Sequence, residues 1–238
     1  MSAASELVYG RRAVREALRG RREVLELLAT ERAAREPWER KAKIVPERML
    51  SELAGTRDHQ GVVARVEPYR YADAYELAST GEPLLVCLDQ VTDPRNLGAV
   101  CRSAEGAGAT GVILPAHRSA RVTPAVARSS AGAVEHLPVA VVQNLARFLN
   151  EVKGPRLWAW AADTGGTPMG EADLAGGLAL VFGAEGKGLR PLVRRACDAV
   201  VSIPLAGEIE SLNVSVAAAV LLYEARRQRS ALGSTEAP

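Results

Sequence analysis

From residue 84 onward, short apolar runs alternate with amphipathic stretches. Leu84–Leu88, Gly111–Leu114, Leu137–Val142, Leu157–Ala162, Leu178–Phe182 and Ala199–Ile203 carry no charge and are rich in valine, leucine and alanine. Runs this short, bounded by turn residues, read as buried strands. Between them, Leu97–Gly106, Pro124–Ser130, Asn144–Val152 and Leu189–Cys197 carry the helical period. Such alternation predicts an α/β fold whose mostly parallel sheet is covered on both faces. Pro204 ends the last strand, because proline cannot donate to a central ladder. After it, Ser211 stands just before an apolar run and reads as a helix N-cap. That helix puts Leu212, Val216 and Val220 on one face with Val214, Ala217 and Leu221 beside them. A helix apolar almost all round is expected to be buried or to lie in a subunit interface.

The first 66 residues carry their own alternation. It comprises a helix over Gly10–Leu18 with its arginines outward, a strand at Val24–Leu28, a short helix capped by Thr30, Ile44-Val45, a helix at Glu47–Leu53 and a strand at Gly61–Val66. This is a small α/β unit. Pro68–Pro83, with Tyr69, Tyr71 and Tyr75, reads as a linker holding one short helix, and Ser230–Pro238 as a frayed tail. The expected division is therefore 1–70, a linker at 71–83, a second domain at 84–229 and a flexible tail at 230–238.

Composition narrows the class. Of 238 residues 47% are apolar, enough for a packed core, yet no uncharged apolar run approaches the ~18 residues of a membrane span. The N-terminal Met-Ser-Ala-Ala-Ser-Glu lacks the layout of a signal peptide, so a cytoplasmic protein is expected. Cys87, Cys101 and Cys197 are scattered in apolar sequence without metal or redox spacing. They read as buried free thiols, and no metal is expected. Residues 1–70 hold 15 Lys+Arg against 11 Asp+Glu, a net of +4, whereas residues 71–238 hold 15 against 17, a net of −2. An arginine-rich first domain points to nucleic acid.

Two glycine patterns bear on ligands. Gly106-Ala-Gly108-Ala-Thr-Gly111 spells a dinucleotide fingerprint, but these glycines close a helix and open a strand, the reverse of a nucleotide-binding turn. Gly106 or Gly108 is better read as a helix C-cap. Gly183-Ala-Glu-Gly186-Lys-Gly188 does follow a strand, without the length or ending of an ATP-binding loop. Three glycines in six residues let the backbone approach a flat ligand or adopt positive φ. His59 and Gln60 read as ordering the turn before the strand at Gly61, and His59, His117 and His136 have no partner spacing that would make them catalytic.

Three stretches, in order, resemble the signature motifs of the SpoU (TrmH-like) RNA 2′-O-methyltransferases of the SPOUT superfamily. They are Asp93–Pro115, Leu180–Leu189 and the segment from Ile203 into the last helix. Tyr9-Gly-Arg-Arg-Ala-Val and Asp58-His-Gln-Gly-Val-Val resemble that family's L30e-like RNA substrate-binding domain. The resemblance implies a trefoil-knot catalytic domain that forms a homodimer and uses S-adenosylmethionine (AdoMet), held by backbone at Gly183, Ile203 and Leu212. It also implies that Arg102 handles the target hydroxyl, with Asn96, Glu185, Ser211 and Asn213 ordering the site. Because guanidinium barely deprotonates, anchoring a phosphate and stabilising a developing alkoxide suit Arg102 better than a base role. The match is nearest to the branch acting on a guanosine of 23S rRNA. The alternatives are a tRNA-directed enzyme of the same superfamily and a non-catalytic RNA-binding assembly factor; the second is opposed by the intact Asn96, Arg102, Glu185 and Asn213.

Overall fold

A computed structural model of the chain describes residues 5–233. The chain forms two compact units: residues up to Arg70 together with Arg121–His136, and Tyr71–Ala120 together with Leu137 onward.

In the first unit, strands β1 (Glu6–Tyr9), β2 (Val24–Ala29), β3 (Lys43–Ile44) and β4 (Val62–Val66) stand in the order β1-β4-β2-β3. β4 is antiparallel to both neighbours, and β2 and β3 are parallel. Helix α1 (Arg11–Arg19) buries Ala13, Val14 and Ala17, and α2 (Glu47–Ala54) buries Leu50 beside Leu28, Val45 and Val63. The short helix expected after Thr30 is a single 3-10 turn, Ala33–Arg35, whose Ala33 N–H donates to the Thr30 hydroxyl at 3.3 Å. His59 is buried and orders the turn before β4. Its Nδ1 accepts from Gly61 N at 3.0 Å, so in the neutral ring Nε2 carries the proton, 2.9 Å from Ser51 Oγ.

Residues 121–136 lie within 84–229 in sequence but pack with residues 1–70. Helix α3 falls earlier in the chain, at Ala74–Ser79; this segment holds α5 (Pro124–Ser129), capped by Thr123, and a 3-10 turn at Ala133–Glu135. Val126, Ala127 and Val134 are buried. Gly132, at φ 92°, passes so close to α1 that an added Cβ would lie 2.4 Å from that of Glu16. The Glu135 carboxylate, only 3% exposed, receives the Arg22 guanidinium fork at 2.5 and 2.9 Å. The remaining Arg22 nitrogen donates to Glu6 at 2.9 Å, and the guanidinium lies over the Tyr69 ring.

The second unit is a six-stranded, wholly parallel sheet in the order β10-β8-β9-β5-β6-β7. Its strands are β5 (Leu84–Asp89), β6 (Gly111–Pro115), β7 (Val139–Val142), β8 (Trp158–Pro168), β9 (Leu178–Gly183) and β10 (Ala199–Ser202). The helices are α4 (Pro94–Ala107), α6 (Leu145–Val152), α7 (Pro191–Ala196) and α8 (Val214–Gly233), besides α3. β5, β6 and β9 are fully buried save one end residue, as strands covered on both faces must be. Gly108, at φ 77°, terminates α4 in the left-handed conformation, which accounts for the glycines that imitate a dinucleotide motif.

Four sequence expectations change. The stretch 71–83 is more than a linker, because Ala72 bridges to Ala140 of β7 and α3 buries Ala74 in the core. β8 runs six residues beyond Ala162, and its pairing with β10 jumps from Ala161 to Thr167 between Val200 and Val201. The tail expected from Ser230 begins as helix through Gly233; residues 234–238 lie outside the described chain, as do Met1–Ala4. Finally, of the two placements expected for α8, burial all round is excluded. Val214, Ala218, Leu221, Leu222 and Ala225 are covered, whereas Val216 and Tyr223 are 47% and 53% exposed. Its inward stripe faces the sheet and α4, and the opposite stripe remains open.

Two outcomes test this packing. Glu135→Ala leaves Arg22 buried with one carboxylate fewer, and is expected to cost about 3 kcal/mol in urea unfolding, as losing one partner of a buried pair does; a change below about 1 kcal/mol would contradict the network's role. Burial pushes the Cys101 thiol up to about 12 and that of Cys87 higher still. Both are therefore expected to resist dithionitrobenzoate at pH 8 until the protein is unfolded, because only the thiolate reacts.

Candidate active site

The parallel sheet brings the ends of β8, β9 and β10 to one edge, the place where open α/β sheets hold ligands. There Ala162, Phe182 and Val201 form the floor of a pocket of about 620 Å³. One wall is the loop after β9, from Gly183 to Gly188; the other is the segment after β10, with Ile203, Leu205 and Glu210–Val214, and Ala217 and Leu221 of α8 behind it.

The loop is a tight reversal. Gly188 N donates to Ala184 O at 2.9 Å, and Gly186 and Gly188 sit at φ 72° and 63°, where a side chain is strained. Gly183 serves a second need, close approach: a Cβ there would lie 2.1 Å from the Gly188 carbonyl carbon. The strand-glycine pattern thus produces a wall of bare backbone, suited to a flat ligand.

Three polar side chains close the rim. Asn96, in the first turn of α4, donates through Nδ2 to Glu185 Oε1 at 3.1 Å. Asn213 Nδ2 donates to Asn96 Oδ1 at 3.1 Å and also to Glu185 Oε1. Asn213 in turn caps α8: its Oδ1 accepts from Ser215 N at 2.9 Å and from Ser215 Oγ at 2.6 Å. This corrects the expected cap. Ser211 lies three residues ahead of the helix, exposed and lining the pocket, whereas the residue immediately before Val214 has the geometry to cap.

Of the residues singled out from the sequence, Gly183, Ile203, Leu212, Glu185, Ser211 and Asn213 line the one pocket, and Asn96 bonds to two of them. Arg102 does not join them. It stands on α4, exposed, outside the pocket lining and without a hydrogen bond or ion pair among the described residues. Asp163 and Thr164 also line the pocket. Sequence reading missed them because the apolar pattern of β8 stops at Ala162, and nothing in their spacing marks them. No group of metal-ligating side chains occurs among the described residues.

Comparison with known proteins bears on both units. The model of the SpoU rRNA Methylase family matches residues 83–223, and that for RNA 2′-O ribose methyltransferase substrate binding matches residues 7–72. A 23S rRNA (guanosine-2′-O-)-methyltransferase RlmB from Burkholderia sp is 51% identical over 184 residues, which are 76% of this chain and 74% of that protein. The counterpart from Ralstonia nicotianae is 49% identical over 185 residues, again 76% and 74%. Among solved structures, the SpoU methyltransferase AviRb from Streptomyces viridochromogenes, in complex with AdoMet, superposes with a TM-score of 0.81 at 31% identity, covering 95% of this chain and 91% of its own. An AdoMet-bound rRNA methyltransferase from Sinorhizobium meliloti gives 0.77 at 28%, covering 94% and 87%. With signature stretches, glycine wall and polar rim drawn to one sheet edge, and with relatives matching along most of the chain, this protein belongs to the SpoU rRNA methylase family.

Proposed function

We propose that the protein transfers a methyl group from AdoMet to the ribose 2′-hydroxyl of a guanosine in 23S rRNA. The observation that carries this reading is the backbone-walled pocket at the strand ends, closed by Asn96, Glu185 and Asn213, in a chain 51% identical over 76% of its length to an RlmB enzyme. The pocket suits the cofactor by size, since small-molecule sites span roughly 300–1,000 Å³, and by surface, with glycine backbone on one side and Ile203 and Leu212 on the other. When bound, AdoMet supplies an electrophilic methyl group. Gly183, Ile203 and Leu212 would hold it through backbone contacts, while Ser211, on the same lining, would help to order the site.

The chain's own contribution is placement, which can lower a barrier by several kcal/mol. The Glu185 carboxylate fixes both amides; Asn213 is fully committed, and Asn96, with one N–H and one oxygen lone pair still unused, would orient the target nucleotide. Arg102, unpartnered and exposed, is free to anchor an RNA phosphate and to stabilise negative charge on the 2′-oxygen as its proton leaves. Because it stands outside the pocket of its own chain, the reading includes a homodimer in which each Arg102 serves the partner subunit's site. The open stripe of α8, with Val216 and Tyr223, offers the apolar surface for it. α8 packs on α4, which carries Arg102: Tyr223 Oη would lie 3.0 Å from a Cβ on Gly106, and Arg226 donates to the Gly106 carbonyl. The first unit, basic and matched to a substrate-binding family, would grip the rRNA. No helix among the described residues is long and apolar enough to cross a membrane, and a cytoplasmic site of action accords with an rRNA substrate.

Three measurements test this reading. Incubating the protein with labelled AdoMet and unmodified 23S rRNA or tRNA, then digesting to nucleosides, should place label in 2′-O-methylguanosine from rRNA; label only in tRNA, or only on a base, would refute it. Arg102→Ala should lower kcat by at least about a hundredfold, the scale of one lost transition-state donor, with AdoMet affinity unchanged in calorimetry. Val216→Asp places a charge in the proposed interface and should shift sedimentation from dimer to monomer. A wild type already monomeric at micromolar concentration would remove the dimer from the mechanism.

A further inference from the structure

Asp89 stands at the C-terminal end of β5 with its carboxylate wholly buried, and sequence reading had not marked it. In the ladder it pairs with Gly183, the last residue of β9 and the first of the glycine wall. Its side chain holds the far end of the same loop. Oδ2 accepts from the backbone N–H of Arg190 at 2.9 Å, and Oδ1 accepts from Arg190 Nε at 2.8 Å, with Nη2 at 2.6 Å. One residue therefore fixes both the entrance and the exit of the loop 183–190. Arg190 is the residue before α7, and one turn on, Arg194 lies 3.6 Å from Asp163, midway along β8. In the sheet β9 runs between β8 and β5, so two Asp–Arg pairs bracket the strand whose loop forms the pocket wall. In the inner pair the carboxylate is buried, while the Arg190 side chain is 44% exposed.

We propose that Asp89 and Arg190 form a clasp that positions the glycine wall for AdoMet and, through it, aims Glu185 at Asn96 and Asn213. Both are positioning residues: neither lines the pocket. The reasoning is geometric. A loop with three glycines in six residues has many conformations open to it, and the one it holds, with Gly183 against Gly188, lines the pocket and brings Glu185 to its rim. The turn's own hydrogen bonds from Lys187 and Gly188 to Ala184 set its tip. They do not set its tilt against the sheet; the clasp does. Opening the pair would leave the buried Asp89 carboxylate without its cation, a cost that a pair exposed on both sides does not carry.

This inference rests on the AdoMet reading of the pocket, and its test separates the two. S-adenosylhomocysteine binding would be followed by calorimetry, and KM for AdoMet and for 23S rRNA by methyl transfer, in the wild type, Arg190→Ala and Arg190→Lys. Arg190→Ala removes the guanidinium but keeps the backbone bond. It should weaken S-adenosylhomocysteine and raise KM for AdoMet about tenfold, the factor carried by one lost charge-assisted hydrogen bond, while KM for rRNA stays within about twofold. Arg190→Lys keeps the charge and loses the fork, so an intermediate effect is expected. Wild-type cofactor affinity in folded Arg190→Ala, even with a lowered Tm, would show that the pair merely pins α7 and overturns the clasp. Should Arg190→Ala fail to fold, Arg190→Lys decides in the same sense. A wild type that does not bind S-adenosylhomocysteine would overturn the pocket reading and the clasp together.

Discussion

The site depends on one constraint: segments far apart in the chain must end at the same edge of one sheet. Asn96 and Glu185 are 89 residues apart, and Asn96 and Asn213 are 117 apart, yet their side chains form one hydrogen-bonded triangle. Only parallel strands deliver this, because each exits at the same edge and hands its loop to the same side. β5 leads to Asn96, β9 to Glu185 and β10 to Asn213. A parallel sheet needs helices on both faces, which explains why its central strands carry almost nothing but Val, Leu, Ala and Cys.

At that edge two kinds of chemistry are kept apart. Backbone, freed by Gly183, Gly186 and Gly188, forms the wall against which a flat cofactor can lie. At the rim, Glu185 joins two amides into one hydrogen-bonded cluster. Asn213 carries a double duty, since the same side chain that meets Glu185 also caps α8. Moving the helix start would therefore move the rim. Arg102 stands away from this cluster, exposed on α4.

The first unit shows a different economy. Its arginines are mostly exposed and paired loosely with neighbouring carboxylates, interactions worth little to stability. The exception is Arg22, which ties β1, the end of β4 and residues 121–136 together through Glu6, Glu67 and Glu135. The first unit is discontinuous in sequence. Three chain crossings, near residues 70, 120 and 136, link it to the second unit in place of a single linker.

Much of this was legible in the chain itself. β5, β6, β7 and β9 announce themselves because burial on both faces demands unbroken apolar runs, and Gly108 betrays the end of α4 because only a left-handed residue ends it so. The resemblance to SpoU enzymes named Asn96, Glu185 and Asn213, and spacing put each at the start of a loop or helix. What periodicity does not encode is partner choice. Nothing local tells Glu135 to seek Arg22, Asp89 to seek Arg190, or β8 to run past Ala162 into a bulged pairing with β10. Nor could hydropathy say which face of α8 stays open, since both faces are apolar. The cap passed from Ser211 to Asn213 because a helix start is set to the residue by packing, whereas its sequence signal spans a turn. Local conformational preference and burial are read from single segments; contacts between segments exist only once the sheet has brought them together.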